Sequence, residues 1–496
     1  MTVDLSGSTG ASSGRGMAWE FLNWELMRAS VKRLQMRIAK AVRENDHGRA
    51  QALQWILTHS QAAKFLAVHR VTSNKGHATP GVDGQVWRTD AQKFEAVLRL
   101  KQRGYQPQPL RRIYIPKKNG KMRPLSIPTM SDRAHQALHA LALKPVAETC
   151  ADKNSYGFRE GRCCADAIGQ CFNALAKSYA PVWVLEGDIK SCFDQISHDW
   201  LLRHIPMDRE VLRKWLRAGY LEMGRLYPTQ AGTPQGGIAS PLLANMTLDG
   251  MEAAIRAAIR PRRDKVNFVR YADDFIVTAA RRETLTERVK PVIVSFLQER
   301  GLSLSEEKTK ITHIEEGFDF LGQNLRKRGK KLRITPSRKA IAGIRDQARQ
   351  CIRQGRGLAT EVLIRTLNPI LRGWANYHRH VVAREAFYQV DRYVNDLLWR
   401  WMKRRHPNKS WTWRRRKYYP AAGKGSFATW VRTRDGEPRL LKLRNLLQTV
   451  MDRHIKVKAD ANPYHPDWVK YFEKRRCFAW RSYPVGNGLP LATIGV

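Results

Sequence analysis

The chain has few acidic residues, no C-x-x-C cysteine pair and no long uncharged apolar run. Its seven cysteines include no C-x-x-C pair, which argues against a disulfide framework and against a structural zinc site. A reducing compartment is therefore expected, with most cysteines acting as small buried hydrophobes. Without a long apolar run, we expect no membrane-spanning helix. Residues 1–16 lack the apolar segment of a secretory signal and predict a flexible Gly/Ser tail.

The shortage of acidic residues makes the chain strongly basic. Among 496 residues, 88 are Lys or Arg and 44 are Asp or Glu, so the formal net charge is +44. This charge predicts a polyanionic partner, because contacts with phosphates release counterions and supply affinity that does not depend on sequence. We favour nucleic acid over a membrane surface. The hydrophobic fraction of 43% is enough for a packed core, and the length corresponds to roughly three domains.

The order of apolar periods and turn signals predicts an α+β fold. Residues 110–128 form two short strand patterns around Asn119-Gly120, which is the strongest short hairpin signal. Helical spacing is found in residues 19–44, 49–70, 131–148 and 384–402. The third of these helices is expected to begin near Ser131 or Asp132. The apolar stripe of the last one is interpreted as plain core.

Three aspartates lie next to strongly apolar strand patterns. Asp273 and Asp274 interrupt “VRYADDFIVTAA”, and Asp188 ends “APVWVLEGD”. A hairpin turn would explain the adjacent pair, because Asp tolerates tight turns. A metal site is the alternative, since carboxylates in apolar settings are costly unless they are paired or bind a cation. If the two strands are neighbours, Asp188 and Asp273 meet at one edge of a sheet.

Carboxylates gathered in this way suit Mg²⁺, which prefers hard oxygen ligands together with substrate phosphates. Two such ions roughly 3.5–4 Å apart stabilise the attacking and leaving oxygens of a phosphoryl displacement. Because the basic surface predicts a nucleic-acid substrate, the residues themselves predict a nucleotidyl transferase that uses two metal ions.

Seven sequence blocks and one later segment follow one another between residues 111 and 380. The blocks are “RRIYIPKKNGKMRPLSIP”, “SYGFREGRCCADAI”, “EGDIKSCFDQISH”, “GTPQGGIASPLLANMTLDGME”, “RYADD”, “GLSLSEEKTKI” and “FDFLGQNL”, and the later segment is “LNPILRGWANYHRH”. A lone Y-x-D-D recurs by chance, whereas the whole ordered series does not. The chain resembles the bacterial group II intron-encoded proteins, which are reverse transcriptases and maturases.

The resemblance implies a right-hand polymerase with a helical thumb that is also the maturase domain. The implied domains are an amino-terminal tail and helical extension (1–74), fingers and palm (75–335), thumb and maturase domain (336–405), and a basic DNA-binding region with a tail (406–496). Many relatives end in an HNH endonuclease with two cysteine pairs. Here Cys477 is the only cysteine after Cys351, so that nuclease is expected to be absent.

The resemblance also implies individual site residues. Asp188, Asp273 and Asp274 match the catalytic, metal-binding triad, with Asp274 as the weaker ligand. Phe193 matches a steric gate against a ribose 2′-OH, although an ordinary core phenylalanine would give the same pattern. The remaining residues implied to bind the deoxynucleoside triphosphate (dNTP) are Lys117, Arg123, Gln235, Gly236 and Lys308. For “TPQGG” a simple Gly-rich turn is the alternative.

Two basic segments are candidate nucleic-acid contacts. In the hairpin they are Arg111, Arg112, Lys118 and Lys121, for which solvated charge is a serious alternative. In the carboxy-terminal region, aromatic rings interleave with cations, which suits base stacking and phosphate contact. Those residues are Trp411, Trp413, Arg414, Arg415, Arg416 and Lys417, followed by Tyr418 and Tyr419. A solvated basic tail is about equally consistent with this second pattern.

The predicted function is an RNA-directed DNA polymerase that binds its intron RNA, assists splicing and copies the intron into DNA by target-primed reverse transcription during retrohoming. The implied partners are the intron RNA, a DNA target and primer, and dNTPs, with two Mg²⁺ ions as cofactor. The expected location is the bacterial cytoplasm, in a nucleoid-associated ribonucleoprotein. A maturase with a decayed polymerase site is one alternative, and a retron or defence polymerase is another. The complete triad argues against the first, and the maturase segment argues against the second.

Overall fold

The structure is a computed structural model that describes residues 18–116, 120, 122–423, 425–433 and 435–482, and the fold is α+β. The amino-terminal helices are α1 (Trp24–Arg43), α2 (His47–His59), α3 (Gln61–Ser73) and α4 (Asp90–Arg99), after a short 3₁₀ turn at Trp19–Phe21. They pack with helix α5 (Met130–Cys150) around an apolar cluster that includes Ile38, Leu57 and Val68. These helices therefore share one local core.

Two predictions about these helices are wrong in detail. Residues 49–70 form two helices, because Ser60 is extended (φ −65°, ψ 130°) between α2 and α3. Helix α5 begins one residue earlier than Ser131, and its cap is Thr129, whose side chain accepts a hydrogen bond from the backbone N–H of Asp132. The Asp132 carboxylate instead accepts a hydrogen bond from the Tyr105 hydroxyl at 2.8 Å. The same carboxylate accepts from the Thr129 hydroxyl at 2.7 Å, so Asp132 supports the start of the helix from within its first turn.

The hairpin predicted at residues 110–128 is confirmed. Its strands are β1 (Leu110–Pro116) and β2 (Met122–Ile127), which pair antiparallel with Pro116 opposite Met122. The other edge of β1 pairs with β4 (Tyr220–Glu222), which in turn pairs with β5 (Arg225–Tyr227). The result is a four-stranded sheet in the order β2-β1-β4-β5.

A second four-stranded sheet, in the order β6-β7-β3-β8, has protein on both faces. Its strands are β3 (Trp183–Asp188), β6 (Asn267–Tyr271), β7 (Asp274–Ala279) and β8 (Lys310–His313). Successive residues of a strand point to opposite faces. Accordingly, Val184 and Ile276 belong to one apolar cluster, and Leu185 and Val277 belong to another. Burial on both faces explains why these strands are continuously apolar.

Helices cover this central sheet on both sides. They are α6 (Cys164–Leu175), α7 (Cys192–Gln195), α8 (His198–His204), α9 (Arg209–Arg217), α10 (Ser240–Leu248), α11 (Met251–Ala257), α12 (Pro261–Asp264) and α13 (Lys290–Gln298), with a π-helical segment at Thr284–Val289. Gly301 follows α13 with a positive φ of 73°, a conformation that glycine adopts readily after the end of a helix.

A small sheet leads into three long helices. Its strands are β9 (Phe318–Phe320), β10 (Gln323–Arg328) and β11 (Lys331–Pro336), and the helices are α14 (Arg338–Gln354), α15 (Thr360–His378) and α16 (Arg384–Arg405). The stripe on α16 is core, as predicted, with Phe387, Val390, Val394, Leu398 and Trp401 buried. It belongs to the same cluster as Val184 and Ile276 of the central sheet. The three helices thus share a core with one face of that sheet.

The carboxy-terminal region folds back onto the rest of the chain. Its elements are α17 (Trp411–Tyr418), β12 (Ala428–Arg432), β13 (Pro438–Lys442) and α18 (Val469–Ser482), with 3₁₀ turns at Ala421–Gly423, Leu446–Gln448 and Pro466–Trp468. Asp166 of α6 is buried and accepts hydrogen bonds from His454 Nε2, Val457 N and Arg475 Nη2. The Tyr464 hydroxyl donates to Glu160 at 2.6 Å. Residues 454–475 are therefore tied to the region around α6.

Among the described residues, six cysteines are free thiols, and no helix has the length and apolar character that crossing a bilayer requires. Of these residues, only Cys171 and Cys192 are buried as a whole, so the expectation that most cysteines act as small buried hydrophobes is wrong. Cys163 is exposed as a residue, but its sulfur lies 3.2 Å from Asp166 Oδ2 at the start of α6, where loss of hydration of the sulfur and the charge of Asp166 raise the pKa of the thiol to about 12.

Candidate active site

Two neighbouring strands bring the three aspartates to one edge of the central sheet. β3 and β7 run antiparallel, and their register sets Asp188 directly opposite Asp274. β6 and β7 form a hairpin in which Tyr271 pairs with Asp274, so that Ala272 and Asp273 make the turn. Ala272 has a positive φ of 56°, as tight two-residue turns require. The hairpin and metal-site interpretations are therefore compatible, because the turn itself brings Asp273 next to the other two.

The charges of these carboxylates oppose one another. Loss of hydration, with repulsion from Asp273 and Asp188, raises the pKa of Asp274 to about 7. Loss of hydration and the neighbouring Asp188 also raise the pKa of Asp273. Lys308 partly compensates this charge, since its Nζ donates to Asp188 Oδ2 at 2.8 Å, and that hydrogen bond raises the pKa of the lysine. Three neighbouring carboxylates, two of them with raised pKa, form an oxygen-donor set that a divalent cation would stabilise.

Arg270, for which no role was predicted, contacts the turn between β6 and β7. Arg270 of β6 is fully buried (0% exposed) and forms an ion pair with Asp249. It also donates to Asn245 Oδ1 at 3.2 Å and to the carbonyl of Ala272 at 3.4 Å. The contact with the carbonyl of Ala272 fixes this residue, which has a positive φ and precedes Asp273. The signal in the sequence was a charge inside the apolar run “NFVRY”.

The segment at residues 154–157 holds the same hairpin from its outer side. Arg270 N donates to the Asn154 carbonyl, and Tyr156 N donates to the Arg270 carbonyl, both at 2.9 Å. Gly157 follows, and a Cβ on it would lie 2.9 Å from the carbonyl carbon of Tyr271. Only glycine allows this approach without a shift of the turn. The block “SYGFREGR” carried the family resemblance, but its supporting role could not be read from the sequence.

Beside the carboxylates, Gln235 lies between two charged side chains. Arg123 Nε donates to Gln235 Oε1 at 2.9 Å, and Gln235 Nε2 donates to Asp194 Oδ2 at 3.0 Å. Arg123 is close enough to Asp273 for its charge to oppose the rise in the pKa of that carboxyl group. Phe193 is half-buried against the apolar cluster that contains Leu185. Asp194 was not predicted, although it directly follows the position interpreted as the steric gate.

The Gly-rich loop around Gly236 packs closely against strand β2. Gly236 has a φ of 114°, and a Cβ there would lie 2.8 Å from the carbonyl oxygen of Ser126 in β2. Ser126 N donates to the Gln235 carbonyl at 2.7 Å. The glycine therefore lets the loop lie against the hairpin, and this contact positions Gln235. Lys117 lies outside the described residues.

Of the predicted contacts on the hairpin, two can be described. Arg111 and Arg112 are half-buried, and the Arg112 guanidinium lies 3.8 Å from the ring centroid of Tyr220. That position is typical of a cation–π contact and differs from a freely solvated charge. Lys118 and Lys121 lie outside the described residues.

Helix α17 combines exposed cations with partly stacked aromatic rings. Arg415, Arg416 and Lys417 are exposed, whereas Trp413 and Arg414 are half-buried. Trp411 is 56% exposed and stacks on Trp399 with 5.8 Å between ring centroids. Tyr418 cannot stack on a nucleobase, because it is buried against Phe427. Trp411 and the exposed cations are therefore accessible for the expected contacts, whose role stays a prediction, whereas the expectation for Tyr418 is wrong.

Three family models match the chain. Residues 19–100 match the N-terminal domain of reverse transcriptase, and residues 115–325 match reverse transcriptase (RNA-dependent DNA polymerase). Residues 341–419 match the group II intron, maturase-specific domain. The second match contains the turn at Ala272–Asp273 and both strands beside it, and the third contains helices α15 and α16.

Individual proteins give the same result. Protein YkfC of Escherichia coli is 34% identical over 347 residues, which are 60% of this chain and 90% of that protein. Group II intron-encoded protein LtrA of Lactococcus lactis is 31% identical over 366 residues, which are 58% of this chain and 60% of LtrA. Among solved structures, telomerase from Candida albicans matches with a TM-score of 0.37 and 13% identity, over 60% of this chain and 59% of that chain.

The matches to the polymerase and the maturase-specific domain occur in one chain and in this order. Polymerases of the reverse transcriptase family generally use divalent metal ions, for which the three carboxylates are suitable ligands. Together with the relatives named above, the matches show that this chain belongs to the group II intron reverse transcriptases, RNA-directed DNA polymerases with a maturase domain.

Proposed function

We propose that this chain binds its own group II intron RNA, assists splicing, and copies the intron into DNA at a nicked target during retrohoming. The main support is the convergence of Asp188, Asp273 and Asp274 at one sheet edge in a chain that also has a maturase domain. A non-enzymatic maturase would not need this cluster, because neighbouring carboxylates that share a partly dehydrated edge cost free energy. The partners of the full reaction are the intron RNA, a DNA target with its primer, and dNTPs.

In this proposal Mg²⁺ is the metal, and Asp188 and Asp273 hold two ions with Asp274 as a weaker ligand. The ions supply charge stabilisation to the attacking and leaving oxygens of nucleotidyl transfer. The remaining work belongs to the protein. Arg270 and Gly157 keep the turn in position, and Lys308 orients Asp188 through its hydrogen bond.

The nucleotide lies beside Arg123, Gln235 and Phe193. Arg123 uses Nε to bind Gln235, whereas its Nη1 is buried and has no hydrogen-bond partner among the described residues. An unsatisfied guanidinium N–H beside an anion site favours a phosphate ligand. The ring of Phe193 then excludes the 2′-OH of a ribonucleotide. Gly236 and Lys308 also border this pocket, and Lys117 is assigned to the triphosphate from the family resemblance alone.

The nucleic acids contact the basic surfaces. Arg111 and Arg112 contact the template, Lys118 and Lys121 are assigned to the template from the family resemblance alone, and the helices of residues 336–405 hold the intron RNA and the template–primer duplex. Residues 406–496 contact DNA through the exposed cations of α17 and through its exposed aromatic ring, Trp411. Residues 75–335 then correspond to fingers and palm, preceded by the extension at 1–74. Such a protein works in the bacterial cytoplasm, in a ribonucleoprotein at the nucleoid.

Primer extension on an RNA template in the presence of Mg²⁺ tests the proposal. The wild-type protein is expected to extend a DNA primer, and Asp273→Ala is expected to abolish extension while intron RNA binding is unchanged. Asp319→Ala serves as the control, because Asp319 is an exposed aspartate on strand β9. Equal extension by wild type and Asp273→Ala would refute the site. RNA binding without extension by the wild type would instead identify a non-enzymatic maturase.

A further inference from the structure

The side-chain amide of Gln235 is held at both ends by charged groups. Its Oε1 accepts from Arg123 Nε at 2.9 Å, and its Nε2 donates to Asp194 Oδ2 at 3.0 Å. Arg123 comes from strand β2 and Asp194 from α7, so the amide bridges two separate elements. Asp194 is not one of the three clustered carboxylates and has no role in the function proposed above.

These two partners allow only one orientation of the amide. A guanidinium is a donor without acceptor capacity, and an ionised carboxylate is an acceptor without a donor. If the amide turned over, Nε2 would face Arg123 and Oε1 would face Asp194, so both hydrogen bonds would be lost. The present orientation leaves one Nε2 hydrogen and one Oε1 lone pair free of these two bonds. A ligand beside Gln235 therefore meets a donor and an acceptor in known positions.

The backbone of the loop does not depend on the Asp194 side chain. Thr233 N donates to the Phe193 carbonyl at 2.6 Å, and Gly232 N donates to the Ile196 carbonyl at 2.8 Å. Ser126 N holds the Gln235 carbonyl on the other side at 2.7 Å. The Asp194 side chain is exposed, so its truncation leaves no cavity in the core. The carboxylate thus acts on the orientation of the Gln235 amide and not on the course of the loop.

We propose that Asp194 is a positioning residue for nucleotide binding, which fixes the Gln235 amide in the orientation that the incoming dNTP meets. This inference rests on the proposed polymerase function. It predicts that the acceptor oxygen matters more than the negative charge, because the side chain introduced by Asp194→Asn could still accept from Gln235 Nε2 through its carbonyl oxygen. It also predicts that the effect of Asp194 on dNTP binding acts through Gln235.

Steady-state incorporation of one nucleotide, with varied dNTP, tests this inference. Asp194→Ala is expected to raise KM for dNTP about tenfold with kcat changed by less than about threefold, and Asp194→Asn is expected to restore KM to within about threefold of wild type. In a double-mutant cycle, Asp194→Ala should raise KM much less in the Gln235→Ala background than in wild type. Asp199→Ala, which removes an exposed carboxylate five residues away, is the matched control and should leave KM unchanged.

The possible results separate this inference from the function on which it rests. If wild type extends primers and Asp194→Ala leaves KM unchanged, or raises KM as much in the Gln235→Ala background as in wild type, the positioning role is wrong and the polymerase assignment stands. If Asp194→Asn behaves like Asp194→Ala, charge is what matters and the orienting role is wrong. If wild type does not extend primers at all, the proposed function fails and this inference fails with it.

Discussion

At the scale of single residues, the geometry of the candidate active site depends on side chains without a chemical role of their own. Arg270 reaches the carbonyl of Ala272 from a fully buried position, and Gly157 lets a neighbouring segment lie directly against the turn. Close packing of this kind transmits small changes in volume, because the interior has no free space to absorb them. Residues at some distance from the carboxylates therefore determine where Asp273 lies.

We expect Gly157→Ala to lower the primer-extension rate by about tenfold or more, because the new methyl group would displace the turn that carries Asp273. The rate of single-nucleotide incorporation measures this. Gly373→Ala is the control, since a Cβ at that helical glycine meets nothing within 4 Å. Equal rates for the two variants would show that the turn tolerates the shift.

At the scale of elements, helix α5 carries two buried histidines one turn apart. His135 stacks on Tyr105 with 3.9 Å between centroids, and His139 packs edge-on against Trp215 at 5.4 Å. Burial lowers the pKa of His135 to about 3 and that of His139 to about 4. In the unfolded chain both would take up a proton below their ordinary pKa of about 6.5. The folded state is therefore penalised as the pH falls from about 6.5 towards 4.

The variant His139→Gln should reduce the loss of stability on acidification. Wild type gains one more proton on unfolding at pH 5 than the variant does, so its free energy of unfolding should fall more steeply, by up to about 1.4 kcal/mol per pH unit. Thermal unfolding measured at several pH values between 7 and 5 tests this. His47→Gln removes an exposed histidine of α2 and should keep the wild-type slope. Parallel slopes for all three proteins would contradict a neutral buried His139.

The carboxy-terminal segment is a second element whose attachment can be tested. Asp166 joins α6 to His454, Val457 and Arg475, and these hydrogen bonds and charges hold the pKa of Asp166 at about 2 despite its burial. Any contact that this segment makes with DNA is therefore made from a chain fixed to the protein body. The hydrogen bonds of Asp166 contribute to that attachment together with other tertiary contacts, such as the one between Tyr464 and Glu160.

We expect Asp166→Ala to destabilise this attachment by roughly 3 kcal/mol, because it removes the buried carboxylate that pairs with the half-buried Arg475 and accepts from the buried Val457 N–H. Amide hydrogen exchange should increase at residues 454–475. Asp460→Ala is the matched control, since Asp460 pairs with Lys153 in an ion pair in which both side chains are 66% exposed. Such exposed pairs contribute little to stability. Unchanged exchange in Asp166→Ala would show that other contacts hold the segment.

At the scale of the whole molecule, a strongly basic surface surrounds a small acidic site. The net charge of +44 attracts nucleic acid, whereas the three carboxylates repel phosphates until cations neutralise them. One apolar cluster extends from the central sheet through α14, α15 and α16 to Phe472. The maturase-specific region and the sheet that carries the aspartates are therefore joined through a shared core.

Intron RNA binding should weaken steeply with salt, because many phosphate contacts release counterions. With six to ten contacts, affinity should fall by about a thousandfold or more between 50 and 200 mM salt. Filter binding across this range measures the slope. Binding that hardly changes with salt would argue against a contact dominated by phosphates.

The amino-acid sequence by itself determined the function class and most elements of this protein. The excess of Lys and Arg, the apolar runs that end in Asp188 and surround Asp273, and the ordered blocks indicated a polymerase acting on nucleic acid. These features are local, and their physical meaning does not depend on distant parts of the chain. The confirmed β1–β2 hairpin and the buried apolar stripe of α16 were likewise predicted from local sequence features.

Only the tertiary structure decided which distant residues serve the site. Arg270 with Asp249, Gly157 against the turn, and Asp194 on Gln235 are contacts between segments far apart in sequence, and no local period encodes them. The same reason explains the wrong expectation for Tyr418, which looked like a stacking residue and is buried against Phe427. Local sequence specifies chemistry and secondary structure, whereas packing of distant segments determines which side chains are available to use that chemistry.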